Sequence, residues 1–334
     1  MNRWTIALAF AGLAACAART ELGAPTPPLG SGSDGGSSPG HADGGGSSGP
    51  ARVLLFGGAQ HRIPDFGFLG DSWTWNDSSW AQVDSEPSAR VGTAMARLGD
   101  RVVLFGGLDA HSAYLGDTWE WDGAWHPLDV SGPSPRGEHA MATLGDVVIL
   151  EGGRDAHGAL LDTWSWDGSA WTKISDHGPD VSQGGMAAIT GGLVALTGPP
   201  PNDLGHAATW RFDGTKWSPL ALAGPPARDE LAMASLGGDA IMFGGYASDE
   251  SGTGSLLGDT WRFDGQQWTP VDAPGPSARA LPAMVSVGDT ILLYGGLVGE
   301  EGVDDVWSFD GSSWTSLGGG SPGKRYDASM AALP

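Results

Sequence analysis

The chain has 334 residues, with 56 Gly, 23 Pro, 16 Trp, a single Cys and a formal net charge of −22. So much Gly and Pro argues against helical bundles and coiled coils, which need Ala, Leu, Glu and Lys. A 40% hydrophobic share argues against wholesale disorder, the lone Cys against a disulfide framework or Cys-rich zinc site, and the acidity against nucleic-acid partners.

The first element is a targeting segment, residues 1–15. Arg3 supplies a positive charge. The apolar run from Trp4 to Ala15 is too short for a stable membrane span but right for a signal peptide. Leu13-Ala14-Ala15-Cys16 follows directly and resembles the lipobox of bacterial lipoproteins. That resemblance implies cleavage before Cys16, diacylglycerol on its sulfur and a palmitate-type acyl group on the new amino terminus. Several chains anchor stably, since each buried CH₂ is worth about 0.8 kcal/mol. Ala17 in place of Asp implies sorting to the outer membrane, on its periplasmic or its surface-exposed face. Residues 16–50 hold almost no large apolar side chains. They are expected to form a flexible tether spanning about 30 Å.

From residue 51 to 334 the chain repeats. Trp80, Trp125, Trp171, Trp217, Trp268 and Trp314 are spaced by 45, 46, 46, 51 and 46 residues. A second column is Trp73, Trp119, Trp164, Trp210, Trp261 and Trp307. Gly pairs stand at Gly57-Gly58, Gly106-Gly107, Gly152-Gly153, Gly244-Gly245 and Gly295-Gly296. Arg90, Arg136, Arg228, Arg279 and Arg325 each precede a Met by five residues. Within one unit, 92–98 ends at Gly99-Asp100, 101–105 is an apolar run, 118–121 alternates, and Asp122-Gly123 makes a tight turn before Trp125. Four short strands per unit, six units over, predict an all-β, six-bladed propeller. The chain opens in second-strand phase and closes in first-strand phase. Residues 327–333 are therefore expected to pair with 52–58 and close the ring.

The Gly pair after an apolar strand, the two Trp of the Asp-Thr-Trp…Trp half and the Pro-x-x-Arg before the next unit resemble the kelch family, including the propeller of galactose oxidases. The resemblance implies the fold and says little of activity. Unit four departs from it: Thr197-Gly198 replaces the Gly pair, Ala208 the Asp, and Val181 the Arg.

Repeated residues are expected to serve the scaffold: both Trp columns and Trp75, Trp121 and Trp166 as packing, the Asp of Asp-Thr-Trp as a turn cap, and the Arg column as a bridge between blades. The residue two after each Arg does not repeat: Gly92, Glu138, Gln183, Glu230, Leu281 and Asp327. Unrepeated polar residues on one face of a ring are where function is expected. The ligand-contact candidates are thus Arg136, Glu138, His139, Arg228, Glu230, Arg325 and Asp327, as a charged rim of the central channel. The loops after the Gly pairs (59–69, 108–115, 199–206, 246–257) are a second candidate region.

The pattern holds no metal spacing, phosphate loop or nucleophile elbow, so no cofactor and no metal are expected. Galactose oxidase chemistry needs a Cys in the propeller, and none follows Cys16. Two main readings remain, beside a third, a purely structural envelope protein that differs from the first only in lacking a specific ligand. One is a monomeric, membrane-anchored binding module for a protein or glycan. The other is a carbohydrate-active enzyme, a sialic-acid mutarotase-like propeller or a glycan hydrolase using Glu138 and Glu230.

Overall fold

The computed structural model describes residues 52–61, 66–83, 86–198, 207–248 and 254–334. Cys16, its signal segment, the tether, loop 199–206 and the middle of two other candidate loops lie outside the described residues. The described residues form strands and no helix. Six four-stranded antiparallel sheets make a six-bladed β-propeller. Each blade runs a-b-c-d, from the channel outward. Blade 2, for example, has a at Ala94–Leu98, b at Arg101–Asp109, c at Tyr114–Trp121 and d at Trp125–Leu128.

The ring closes as the split unit requires. Ser329–Ala332 is strand a of blade 1 and pairs with Val53–Phe56, Val53 opposite Ala332 and Phe56 opposite Ser329. The two chain ends of the domain thus share one sheet, which removes an open edge.

Strand b explains the apolar runs. Side chains alternate faces along a strand. In blade 1, Leu54 and Phe56 enter the core shared with blade 2, while Val53 and Leu55 enter the core shared with blade 6. Both faces are buried, so the strand reads as continuous hydrophobics rather than as an alternation. The whole interior consists of six such clusters, one per seam between blades. Each fully buried aliphatic or aromatic side chain in them contributes about 1.5–3 kcal/mol.

The two tryptophan columns divide the labour. Trp125, Trp171, Trp217, Trp268 and Trp314 are 6–8% exposed and belong to seam cores. Trp75, Trp121 and Trp166 are buried as well. Trp73 and its counterparts are only half-buried, and the indole N–H groups of all but Trp210 have a separate task described below. Trp125 donates to Ser72 of the blade before it, Trp171 to Thr118, Trp268 to Thr209 and Trp314 to Thr260, all at 2.9–3.0 Å. Four of the six seams therefore carry one buried hydrogen bond from this tryptophan to a hydroxyl at the equivalent position.

Candidate functional site

The arginine column builds the upper end of every seam but one. Arg136 is fully buried and grips Asp162 through both carboxylate oxygens, at 2.6 and 3.0 Å. Its Nη1 also donates to the carbonyl of Gly152, the first glycine of the pair. Trp164 donates its indole N–H to the same Asp162 at 2.7 Å. The same arrangement joins Arg90 to Asp117, Arg228 to Asp259, Arg279 to Asp305 and Arg325 to Asp71. The Asp of Asp-Thr-Trp is thus an ion-pair partner rather than the turn cap expected of it. Burial works to raise these carboxyls, yet the arginine and the indole hold them below the usual carboxylate range. Turn capping falls instead to the Asp of the Asp-Gly turns: Asp167, Asp213, Asp264 and Asp310 each accept two backbone N–H groups through Oδ1.

The Gly pairs are required by close approach. The carbonyl of Arg136 lies 2.6 Å from where a Cβ on Gly106 would sit. That same carbonyl accepts the N–H of Gly107 at 2.8 Å. A side chain at either position would push the blades apart.

Three of the candidate residues, Arg136, Arg228 and Arg325, are therefore internal, each 0–1% exposed and committed to a seam. His139 is also buried, edge-on to Phe105 at 5.5 Å, with neither ring nitrogen hydrogen-bonded. Burial first, then the Arg136 charge, hold its pKa down to about 3, so it is neutral at pH 7.

The carboxylates are placed differently. Gly92, Glu138, Glu230, Leu281 and Asp327 all have left-handed backbone, with φ of 60, 58, 57, 50 and 54°. Non-glycine residues rarely adopt this conformation, and it persists where the surroundings over-determine it. Here the surroundings are a ring of backbone bonds around the channel. Glu138 N–H donates to Gly92 C=O, Glu230 to Gln183, Leu281 to Glu230 and Asp327 to Leu281, at 2.8–3.0 Å. Between Asp327 and Gly92 a side chain makes the link, Gly92 N–H donating to Asp327 Oδ2 at 3.0 Å, while no such bond joins Gln183 to Glu138.

This ring brings the two candidate regions together. The residue before each ring position pairs with the first residue after a Gly pair: Gly137 with Arg154, Asp229 with Tyr246, Ala280 with Leu297 and Tyr326 with Ala59. The variable loops thus spring from the channel mouth. Arg154, which the sequence did not single out, stands 3.7 Å from Glu138 Oε2 as an ion pair without hydrogen-bond geometry. Its signal was its place directly after Gly152-Gly153. Tyr114, from the 108–115 loop, is pushed up by burial and by Glu138.

The mouth is electrostatically costly. Burial, then Asp327 and Glu230, push Glu138 up to about 8 against the pull of Arg154. Burial and Glu230 push Asp327 up to about 7. Near neutral pH these carboxyls exchange protons, so the mouth both donates and accepts hydrogen bonds. Among the described residues, no three His, Cys, Asp or Glu are grouped closely enough to hold a metal ion. No family model matches the chain, and no curated protein matches it.

Proposed function

We propose that this chain is a lipid-anchored, kelch-type module of the cell envelope that binds a protein or a glycan at its channel mouth. The observation that carries the reading is the gathering of Glu138, Glu230 and Asp327 on one ring, with Arg154 paired to Glu138. Repeated positions hold blades together. Unrepeated polar groups gathered at one mouth are released from that duty. The kelch assignment rests on the Gly pairs and Pro-x-x-Arg, and the anchor on Leu13-Ala14-Ala15-Cys16. A glycan array and an envelope pull-down with the full chain should give a saturable partner that Glu230→Ala loses and an exposed-loop variant keeps. Equal binding by both variants removes the mouth from the reading. Cys16→Ala should release the protein from membranes; a variant still in the membrane fraction sinks the anchor.

A second reading, a carbohydrate-active enzyme, is favoured by one observation. Glu138 and Asp327 are pushed up to about 8 and about 7, the range that serves general acids and bases at neutral pH. Turnover of sialic-acid anomers or of a glycan, abolished in Glu138→Gln, decides for catalysis.

A further inference from the structure

The outer edges of the blades are not alike. A fourth strand leaves a row of backbone N–H and C=O groups unpaired, and proteins guard such edges with proline, lysine or shortness. The residue opposite the half-buried tryptophan of strand c is Pro127 in blade 2, Pro219 in blade 4 and Pro270 in blade 5. It is Lys173 in blade 3. Blade 1 has Gln82, on a strand of only four residues. Blade 6 has Ser316, on a strand of six residues, Trp314–Gly319, exposed from its second residue onward, with a register shift between Val306 and Trp307 that leaves Leu317 without a partner on strand c. Proline has no N–H to give strand c, so the N–H at this register position points away from the blade. Ser316 carries that N–H with neither proline nor lysine in its place.

The same edge borders a cleft. The fourth residues of the other outer strands, Val83, Leu128, Ile174, Leu220 and Val271, pack half-buried against seam cores. Their counterpart Leu317 is 42% exposed. With Trp75, Asp77, Val287, Leu292 and Ser308 it lines a cleft of about 190 Å³ between blades 6 and 1. The Val287–Thr290 hairpin places this cleft at the opposite end of the blade from the Gly pairs, away from the channel mouth.

We propose that the outer edge of blade 6 is a docking strand, which takes an extended segment of a partner polypeptide as a fifth strand and seats one of its aliphatic side chains in the cleft beside Leu317. Strand addition draws affinity from main-chain hydrogen bonds and selectivity from a side-chain pocket, and this edge offers both. The net charge of −22 opposes a second copy of the chain and favours a neutral or basic segment.

The test titrates the full chain with a capped eight-residue peptide of alternating Thr and Val, with a central Leu and a Lys at each end. Binding should saturate, and amide exchange should slow at residues 314–319. Ser316→Pro should weaken binding at least about tenfold by removing a docking donor. It should leave the melting temperature nearly unchanged, because three sister blades already hold proline there. Leu317→Glu should weaken binding likewise. Absence of binding, equal binding by Ser316→Pro, or protection confined elsewhere overturns the proposal. Dimerisation of the chain that Ser316→Pro abolishes overturns it too, by assigning the edge to a second copy.

Discussion

Glu151 Oε2 accepts the indole N–H of Trp217 at 2.7 Å, across the seam between blades 3 and 4. The hydroxyl of Thr163 donates to the same oxygen at 2.7 Å. Glu151 stands where Phe56, Phe105, Phe243 and Tyr294 stand in other blades, and it is fully buried. Its Oε1 has no hydrogen-bond partner. Burial pushes its pKa up to about 8, against the two donors and Arg136, with Asp162 adding to the rise. The folded state therefore holds a proton that the unfolded chain gives up near its ordinary value of about 4.3. Stability from this group is full below that value and is lost as pH rises through about 8. Glu138 and Asp327 act in the same direction. Thermal unfolding should show stability, and with it the melting temperature, falling between about pH 4 and about pH 8, by up to about 1.4 kcal/mol per pH unit for each group. Glu151→Gln, neutral at every pH, should flatten that fall. An unchanged slope in the variant contradicts the assignment.

Blade 4 supplies a double-mutant test. Val181 and Ala208 occupy the places of an arginine and its aspartate, so both members of the pair are missing together. A buried charge without its partner costs several kcal/mol, whereas an apolar replacement of both is tolerated. Val181→Arg alone should destabilise the protein by about 3–5 kcal/mol. Adding Ala208→Asp should recover most of it, read by urea denaturation. Asp162→Ala should cost as much as Val181→Arg, because it strands Arg136.

The seam between blades 6 and 1 lacks its buried hydrogen bond. Val306 holds the place of Ser72, Thr118, Thr163, Thr209 and Thr260, and the Trp80 indole N–H is buried without a partner. Trp80 is also half-buried where its five counterparts are buried. Val306→Thr should stabilise the protein by about 1 kcal/mol. Hydrogen exchange should slow in strands 72–75 and 305–309. A loss of stability instead would mean that the added hydroxyl does not reach the indole.

At the mouth, Glu230 raises both Glu138 and Asp327. Glu230→Gln should therefore lower the pKa of each, read by carboxyl NMR titration. Asp327→Asn should keep the bond to Gly92 N–H through its amide oxygen, while Asp327→Ala loses it at a cost of about 1–3 kcal/mol. Equal stability of the two variants would mean that the side-chain link in the ring carries no weight.

The repeat made the architecture legible before any coordinates. Its period fixes four strands per unit, the Gly pairs and Asp-Gly turns punctuate them, and the split unit at residues 52 and 333 dictates how the ring shuts. These are local signals, carried by backbone preferences and by alternation along single strands. The partners of the repeated charges were not legible. Arg136 and Asp162 are 26 residues apart, and nothing local distinguishes an Asp that caps a turn from one that grips an arginine across a seam. The same holds for the mouth. The sequence marked Glu138, Glu230 and Asp327 as unrepeated, but the raised pKa of Glu138 and Asp327 and the pairing of Glu138 with Arg154 depend on desolvation and on neighbours from three different blades. Composition and periodicity determined that this chain is a propeller. Only the closed ring decided which of its charges are spent on holding blades together and which are left facing the channel, because burial and Coulomb interactions are properties of position in space.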